Sequence, residues 1–249
     1  MTDFLRTSMP FPPSWTDEDV AALNARFESR GPQALLRWVF DQFAPETAVM
    51  GSGFGASGVV LMDFLESVQP GATVFYLDTD VLFPETYNLR DRLSARFDLN
   101  IVRVHSGLSL DDQAADYGDK LWEDDPDQCC FLRKVKPLRE YLADKRAWLT
   151  AIRRDQSPTR ADTEYLEWSD ANEVVKVNPL ADWTEADIWG HIDDHELPYN
   201  PLHDEGYPSI GCMPCTQRVG EDADDPRAGR WSDSDKKECG LHLEPETAE

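Results

Sequence analysis

At 249 residues the chain is long enough to bury a full core, as one α/β domain or one domain with a small appendage. Its 48 acidic side chains against 24 basic ones give a net charge of −24, which repels nucleic-acid phosphates and anionic membranes and argues against either as a partner. No run approaches the ~20 apolar residues of a membrane span, and five cysteines without a visible secretory signal point to a cytoplasmic protein rather than a disulfide framework.

Residues 1–45 read as helical and peripheral: "SWTDEDVAALNARF" offers a hydroxyl cap, acids in the first turn and apolar residues at helical spacing. Residues 47–50 form a short apolar strand that meets the loop "GSGFGAS", and 56–68 return to helical spacing. "ATVFYLDTD" predicts a second buried strand ending at Asp78 and Thr79, after which Pro84 opens a helix with Glu85 in its first turn. "NIVRVH" is a third strand and "AWLTAIR" a fourth. Strands alternating with helices imply an α/β fold, a doubly wound, mostly parallel sheet flanked by helices. Ligands of such sheets bind at the carboxyl ends of the strands, where "GSGFGAS", "LDTD" and "IRRDQS" all fall.

Beyond about residue 176 the character changes. One short helix capped by Thr184 leads into a loop-rich region of Pro, Gly and Tyr, too long and too aromatic to be idle. The expected division is 1–45, an N-terminal helical segment; 46–221, a nucleotide-binding domain with the paired cysteines; and 222–249, a polar, mobile tail. The acids are dispersed, as in "DDQAADYGDKLWEDDPDQ", and read as a solvated face. Such a surface also suits a salt-loving source.

Four features carry chemistry. The loop after the first strand offers backbone N–H groups and the hydroxyls of Ser52 and Ser57 ahead of a helix, a cradle for an anion. It lacks the Lys of a P-loop, and nucleotide binding is favoured over a plain turn by its place at the end of the first strand. Cys129 and Cys130 are adjacent, whereas Cys212 and Cys215 form Cys-x-x-Cys. The four could hold tetrahedral zinc or an iron–sulfur cluster, and spacing alone leaves both open. Arg133, Lys134 and Lys136 follow the adjacent pair, and Arg227 and Arg230 lie in the tail; in so acidic a chain these cations suggest a bound anion. Cys239 stands apart in "KKECGLH", beside Lys236, Lys237 and His242, where neighbouring cations favour a thiolate.

From about residue 47 to 242 the sequence resembles the assimilatory adenylylsulfate (APS) reductases of the phosphoadenylylsulfate (PAPS) reductase superfamily. The carriers are "SGFGAS", "YLDTDVLFPETYNLRDRL", "CCFLRKVKPL", "IRRDQSPTRAD", "NPLADWTEADIW", "PYNPLHDEGYPSIGCMPCT", "RAGRW" and "KECGLH". The resemblance implies an adenine-nucleotide alpha-hydrolase-like fold and a [4Fe–4S] cluster on Cys129, Cys130, Cys212 and Cys215. It implies that Cys239 attacks the sulfur of APS, expels AMP and leaves an S-sulfonate that thioredoxin or a similar dithiol cleaves to sulfite. Lys134, Arg227, Arg230 and His242 would surround the phosphosulfate. Ser52, Phe54, Gly55 and Ser57 would form the nucleotide loop, with Leu77 and Thr79 near the adenosine. By the same resemblance four paired cysteines favour APS over PAPS, with PAPS reduction or dual use the alternatives; a homo-oligomer is left open.

Three positions depart from the family pattern: Ala151 stands where Gly is common, "SDS" replaces an aromatic run after Trp231, and "GEDADDP" precedes Arg227 as if inserted. None touches a cysteine. The rival readings are a zinc-stabilised nucleotide-binding module without turnover and an ATP-pyrophosphatase-type ligase or sulfur transferase. "KECGLH" argues against both.

Overall fold

Four short strands pair in parallel at the centre of the chain: β1 (Ala48–Gly51), β2 (Thr73–Asp78), β3 (Asn100–His105) and β4 (Ala147–Leu149). The computed structural model describes residues 15–220, 225–232, 236 and 238–242. Residues 1–14, part of the expected N-terminal segment, lie outside the described residues, as do 221–224, 233–235, Lys237 and 243–249 of the expected tail. Two further strands, β5 (Leu166–Ser169) and β6 (Val174–Val177), form an antiparallel hairpin that completes the sheet in the order β3-β2-β1-β4-β6-β5. The sequence reading had only four strands.

Helices cover both faces. α1 (Asp17–Phe27) is capped by Thr16 with Asp19 returning the bond, and α2 (Pro32–Gln42) starts on proline. α3 (Ala56–Val68) follows β1, α4 (Pro84–Arg96) follows β2, and α5 (Leu110–Tyr117), α6 (Leu121–Asp124), α7 (Pro126–Cys130) and α8 (Lys136–Leu142) connect β3 to β4. α9 (Glu185–Asp194) starts at Thr184 with a reciprocal cap from Asp187, as its sequence predicts.

Side chains along each strand alternate between two cores. Ala48 and Met50 of β1, Val74 and Tyr76 of β2, and Leu149 of β4 face a large core with α2, α3 and α9. Val49, Phe75 and Trp148 face a smaller one closed by Leu138 and Leu142 of α8, with Leu241 of the tail packed against it. The expectation of a peripheral N-terminal segment does not hold for α2. Its Leu35, Leu36 and Val39 are buried in the large core, because the hydrophobic stripe of the helix has no other cover for the sheet. Strand order reverses between β1 and β4, so the carboxyl end of β1 opens onto a crevice there.

Candidate active site

Two contiguous cavities, of 260 and 210 Å³, occupy that crevice and share Gly51, Ser52, Gly53, Ile210 and His242. The loop from β1 to α3 forms their common wall. Phe54 takes a left-handed conformation at φ 58°, unusual for a bulky residue, and is held by burial against Tyr76 and by its N–H donating to Ser52 Oγ at 3.0 Å. This turn presents Gly53 and Gly55 to the cavity with no side chain in the way. The larger cavity adds Gly55, Ser57, Arg153, Gln156, Arg160 and Arg227. The smaller adds Phe54, Leu77, Thr79, Lys134, Arg230 and Cys239. Every residue expected to meet the substrate therefore lines one of the two.

The four paired cysteines meet in a small closed space beside the smaller cavity, shared with Thr79 and Lys134. Cys129 and Cys130 end α7, and a π-helical turn (Phe131–Val135) carries the chain into α8. Adjacent helical residues point about 100° apart, so their sulfurs diverge. The Cys212–Cys215 turn is fixed from two sides: Met213 N–H donates to Val81 O at 2.8 Å, and Trp231 N–H donates to Cys215 O at 3.1 Å. The segment 225–232 thus lies along the turn, with Thr216 and Arg230 bridged as in an antiparallel pair. Arg230 passes so close over Gly211 that a Cβ there would collide with the guanidinium.

Charge in this region is organised around Lys134, which is buried with its Nζ 3.9 Å from Cys130 Sγ. Burial opposes its charge, but Cys212, Cys130 and Cys239 outweigh burial and raise its pKa. Burial likewise pushes the Cys129 thiol up to about 12 and Cys215 up to about 11, aided by the other cysteines. Cys212 moves the other way. Burial would raise it, yet Lys134, the Thr79 hydroxyl at 3.3 Å and Arg230 together lower it.

The other cations of the "CCFLRKVK" run have different fates. Arg133 is fully buried and spent on internal partners: Gln113 Oε1 at 2.6 Å, Asp80 at 3.0 Å, and the carbonyls of Thr79 and Ser109. Lys136 is exposed and only loosely paired with Glu140 at 3.9 Å. Arg133 borders only the closed space of the cysteines, and of the three Lys134 alone lines either crevice cavity, so the anion site expected of the whole run reduces to one residue.

The tail brings Cys239 and His242 to the same crevice. The His242 ring stacks on Trp148 with centroids 5.0 Å apart, and its buried Nδ1 has no partner among the described residues. Burial first, then Lys176, Arg160 and Arg227, hold its pKa well below the ordinary histidine range, so the ring is neutral. Three residues of this site were not singled out from sequence. Arg153 donates to Ser57 Oγ at 2.6 Å, and Arg160 and Arg227 both bond the Glu238 carboxylate at 3.1 Å. The position of "IRRDQS" at a strand end was the available signal for Arg153; Arg160 and Glu238 lie inside the runs "IRRDQSPTRAD" and "KECGLH", which gave neither of them a role.

The sequence matches the phosphoadenosine phosphosulfate reductase domain over residues 47–218. It is 56% identical over 232 residues to the adenosine 5'-phosphosulfate reductase of Salinibacter ruber, covering 93% of this chain and 92% of that protein. It is 48% identical over 214 residues to the adenosine 5'-phosphosulfate reductase of Lysinibacillus sphaericus, covering 86% and 91%. Among solved structures, the phosphoadenylyl-sulfate reductase of Candida auris in a phosphate complex superposes with a TM-score of 0.70 at 30% identity, covering 83% of this chain and 98% of that one. The FMN adenylyltransferase of Candida glabrata reaches 0.57 at 15% identity, covering 84% and 71%, a likeness of fold alone.

Proposed function

The chain belongs to the phosphoadenosine phosphosulfate reductase domain family, and on that premise we propose that it reduces adenylyl sulfate to sulfite and AMP through a covalent adduct on Cys239. It is an oxidoreductase of sulfate reduction. The observation that carries the mechanism is the position of Cys239. It lines a cavity with the β1–α3 loop, Lys134 and Arg230, and it stays out of the closed space that the four paired cysteines share, with Cys212 alone bordering both.

The chemistry balances with one dithiol consumed per turnover. Cys239 Sγ attacks the sulfur of APS, a sulfur–sulfur bond forms, and the bond from sulfur to the AMP phosphate oxygen breaks with its electron pair leaving on AMP. Lys134, Arg227 and Arg230 are preorganised for the negative charge that grows on the phosphate. The loop of Ser52, Phe54, Gly55 and Ser57 holds the nucleotide, and Leu77 and Thr79 border its base and sugar. Thioredoxin or a similar dithiol then attacks Cys239 Sγ and expels sulfite. Its second thiol closes a disulfide, supplying both electrons and returning Cys239. For this exchange the tail 222–249 acts as a unit that can leave the domain 46–221.

A [4Fe–4S] cluster fits Cys129, Cys130, Cys212 and Cys215 better than one zinc ion. Sulfurs bound to one tetrahedral zinc stand only about 3.8 Å apart. Among the described residues, Asp63, His191 and His195 are the only group of three or more such donors whose ligand atoms all lie within 4.8 Å of one another. No three of the four sulfurs come that close, which suits a larger cluster. When bound, it supplies a fixed charge offset by Lys134 and a tie between α7 and the 212–215 turn. No disulfide links any of the five cysteines, and the location proposed is the cytoplasm, where thiols stay reduced. No helix among the described residues is long and apolar enough to cross a membrane.

The test is sulfite release with reduced thioredoxin, supplying APS and PAPS separately. Release from APS is expected; release from PAPS alone would overturn the substrate assignment, and release from both would show dual use.

A further inference from the structure

We propose that Asp63, His191 and His195 form a binding site for a first-row divalent metal ion, separate from the reductase chemistry. None of the three lines either cavity. Asp63 lies in α3; His191 lies in the last turn of α9 and His195 caps its end. Four residues apart on a helix, the two imidazoles share a face. Their rings stack with centroids 3.9 Å apart and planes 21° apart. Both address the same carboxylate oxygen: His191 Nε2 is 2.9 Å and His195 Nδ1 3.2 Å from Asp63 Oδ2.

These spacings are those of ligands on one ion. With metal–nitrogen bonds near 2.0–2.1 Å, donors sharing an ion stand about 2.9–3.4 Å apart. Two of the three separations already fall there, and all three donor atoms lie within 4.8 Å. The donors are also braced. The His191 ring packs on Phe64 at 4.6 Å and edge-on to Trp183 at 5.8 Å. The carbonyl of His195 accepts from Arg96 at 2.9 Å, which anchors the end of α9. Side-chain exposures of 20% for Asp63, 11% for His191 and 48% for His195 leave one side open for water ligands.

Two imidazoles and one carboxylate select zinc, nickel, cobalt or copper over magnesium or calcium, which prefer oxygen donors. A net charge of −24 raises the local concentration of any cation. A bound ion would tie α3 to α9. The first turns of both helices line the larger cavity, through Ser57 and Gly58 on one side and Glu185 and Ile188 on the other.

The experiment titrates zinc chloride into the iron-loaded full chain carrying Cys239→Ser, which removes the free thiol as a competitor. Calorimetry reads stoichiometry, and zinc K-edge X-ray absorption reads the neighbours. One zinc per chain is expected, with nitrogen and oxygen neighbours at about 2.0–2.1 Å and no sulfur. His195→Gln, at the half-exposed position where folding is least at risk, is expected to weaken binding about tenfold or more. Asp63→Asn should do the same, and zinc should raise the Tm of the parent chain but not of either variant. Sulfur in the first shell, unchanged affinity in both variants, or no binding at micromolar zinc would overturn the proposal. None of these readouts depends on sulfite production, so the site stands or falls apart from the reductase assignment.

Discussion

The Glu238 carboxylate meets the Arg160 guanidinium in a fork, Nε to Oε1 and NH2 to Oε2, each at 3.1 Å. Arg227 donates to the same Oε2 at 3.1 Å, and Glu238 is only 10% exposed. The next residue is Cys239. A paired-arginine clamp on its neighbour therefore fixes the thiol-bearing segment to the rim of the larger cavity, 78 residues from Arg160 in sequence.

Breaking this clamp should separate reaction from binding. A part-buried bidentate charged pair is worth about 1.5–3 kcal/mol, so Glu238→Ala should slow AMP release in a single turnover about ten- to hundredfold at saturating APS. The affinity for APS should hold or improve, because Arg160 and Arg227 lose a competing carboxylate. Arg160→Ala should slow the reaction similarly, and the double variant should be no slower than the worse single one, since the pair acts as a unit. A Glu238→Ala chain with the parent rate would show that the clamp does not position Cys239.

Tail docking should weaken in acid through His242. The docked ring is held neutral by burial and by Lys176, Arg160 and Arg227, whereas a released ring titrates normally. Below about pH 6.5 the released tail takes up a proton that the docked tail refuses, so docking weakens as pH falls, by up to about 1.4 kcal/mol per unit. Above that pH the two forms bind equal numbers of protons and the dependence vanishes. Limited proteolysis of the tail between pH 5.5 and 7.5 measures this, and His242→Gln should flatten the profile. A parent profile that is already flat would contradict it.

Removing a cluster ligand should cost iron and activity together. On the proposed ligand set, Cys212→Ser or Cys130→Ser would leave one iron of a cubane exposed and labile. Both variants should lose the brown colour, iron and sulfite release. Iron near zero with stoichiometric zinc in the parent protein would reverse the assignment in favour of a zinc clamp.

The charge should make stability depend on salt. The Debye length falls from ~30 Å at 0.01 M to ~3 Å at 1 M, so repulsion among the surplus carboxylates fades as salt rises. We expect Tm and activity to climb toward molar salt, in keeping with a salt-loving source. A Tm unchanged across that range would remove the argument.

What the sequence revealed divides along physical lines. Local signals were legible: the Thr184 cap, Pro84 at the start of α4, and the short apolar run that becomes β1, whose Met50 and Val49 face opposite cores. The β5–β6 hairpin was hidden because its inward pattern is broken by Lys176. That lysine is 5% exposed and faces Glu167 across the strands, the two ion-paired at 2.8 Å. A half-buried pair between neighbouring strands reads in one dimension as two surface charges. Arg133 misled in the same way, since its burial depends on the Thr79 and Ser109 carbonyls, the Gln113 amide oxygen and the Asp80 carboxylate, all distant in sequence. The paired cysteines were visible, but their choice between one ion and a cluster turns on sulfur spacing, which adjacency and Cys-x-x-Cys do not encode. Arg160 and Glu238 became partners only once the tail was folded back.

The central claim is that Cys239 carries the sulfonate. Incubating the iron-loaded protein with APS and no dithiol, then measuring intact mass and mapping peptides, tests it most directly. The account predicts one AMP per chain, a sulfonate on Cys239 alone, and its discharge as sulfite when reduced thioredoxin is added. Cys239→Ser should retain iron and bind APS yet form no adduct, because a serine hydroxyl at neutral pH is a far poorer nucleophile than a thiolate. A Cys239→Ser chain that still makes sulfite at the parent rate, or an adduct mapped to another cysteine, would contradict it.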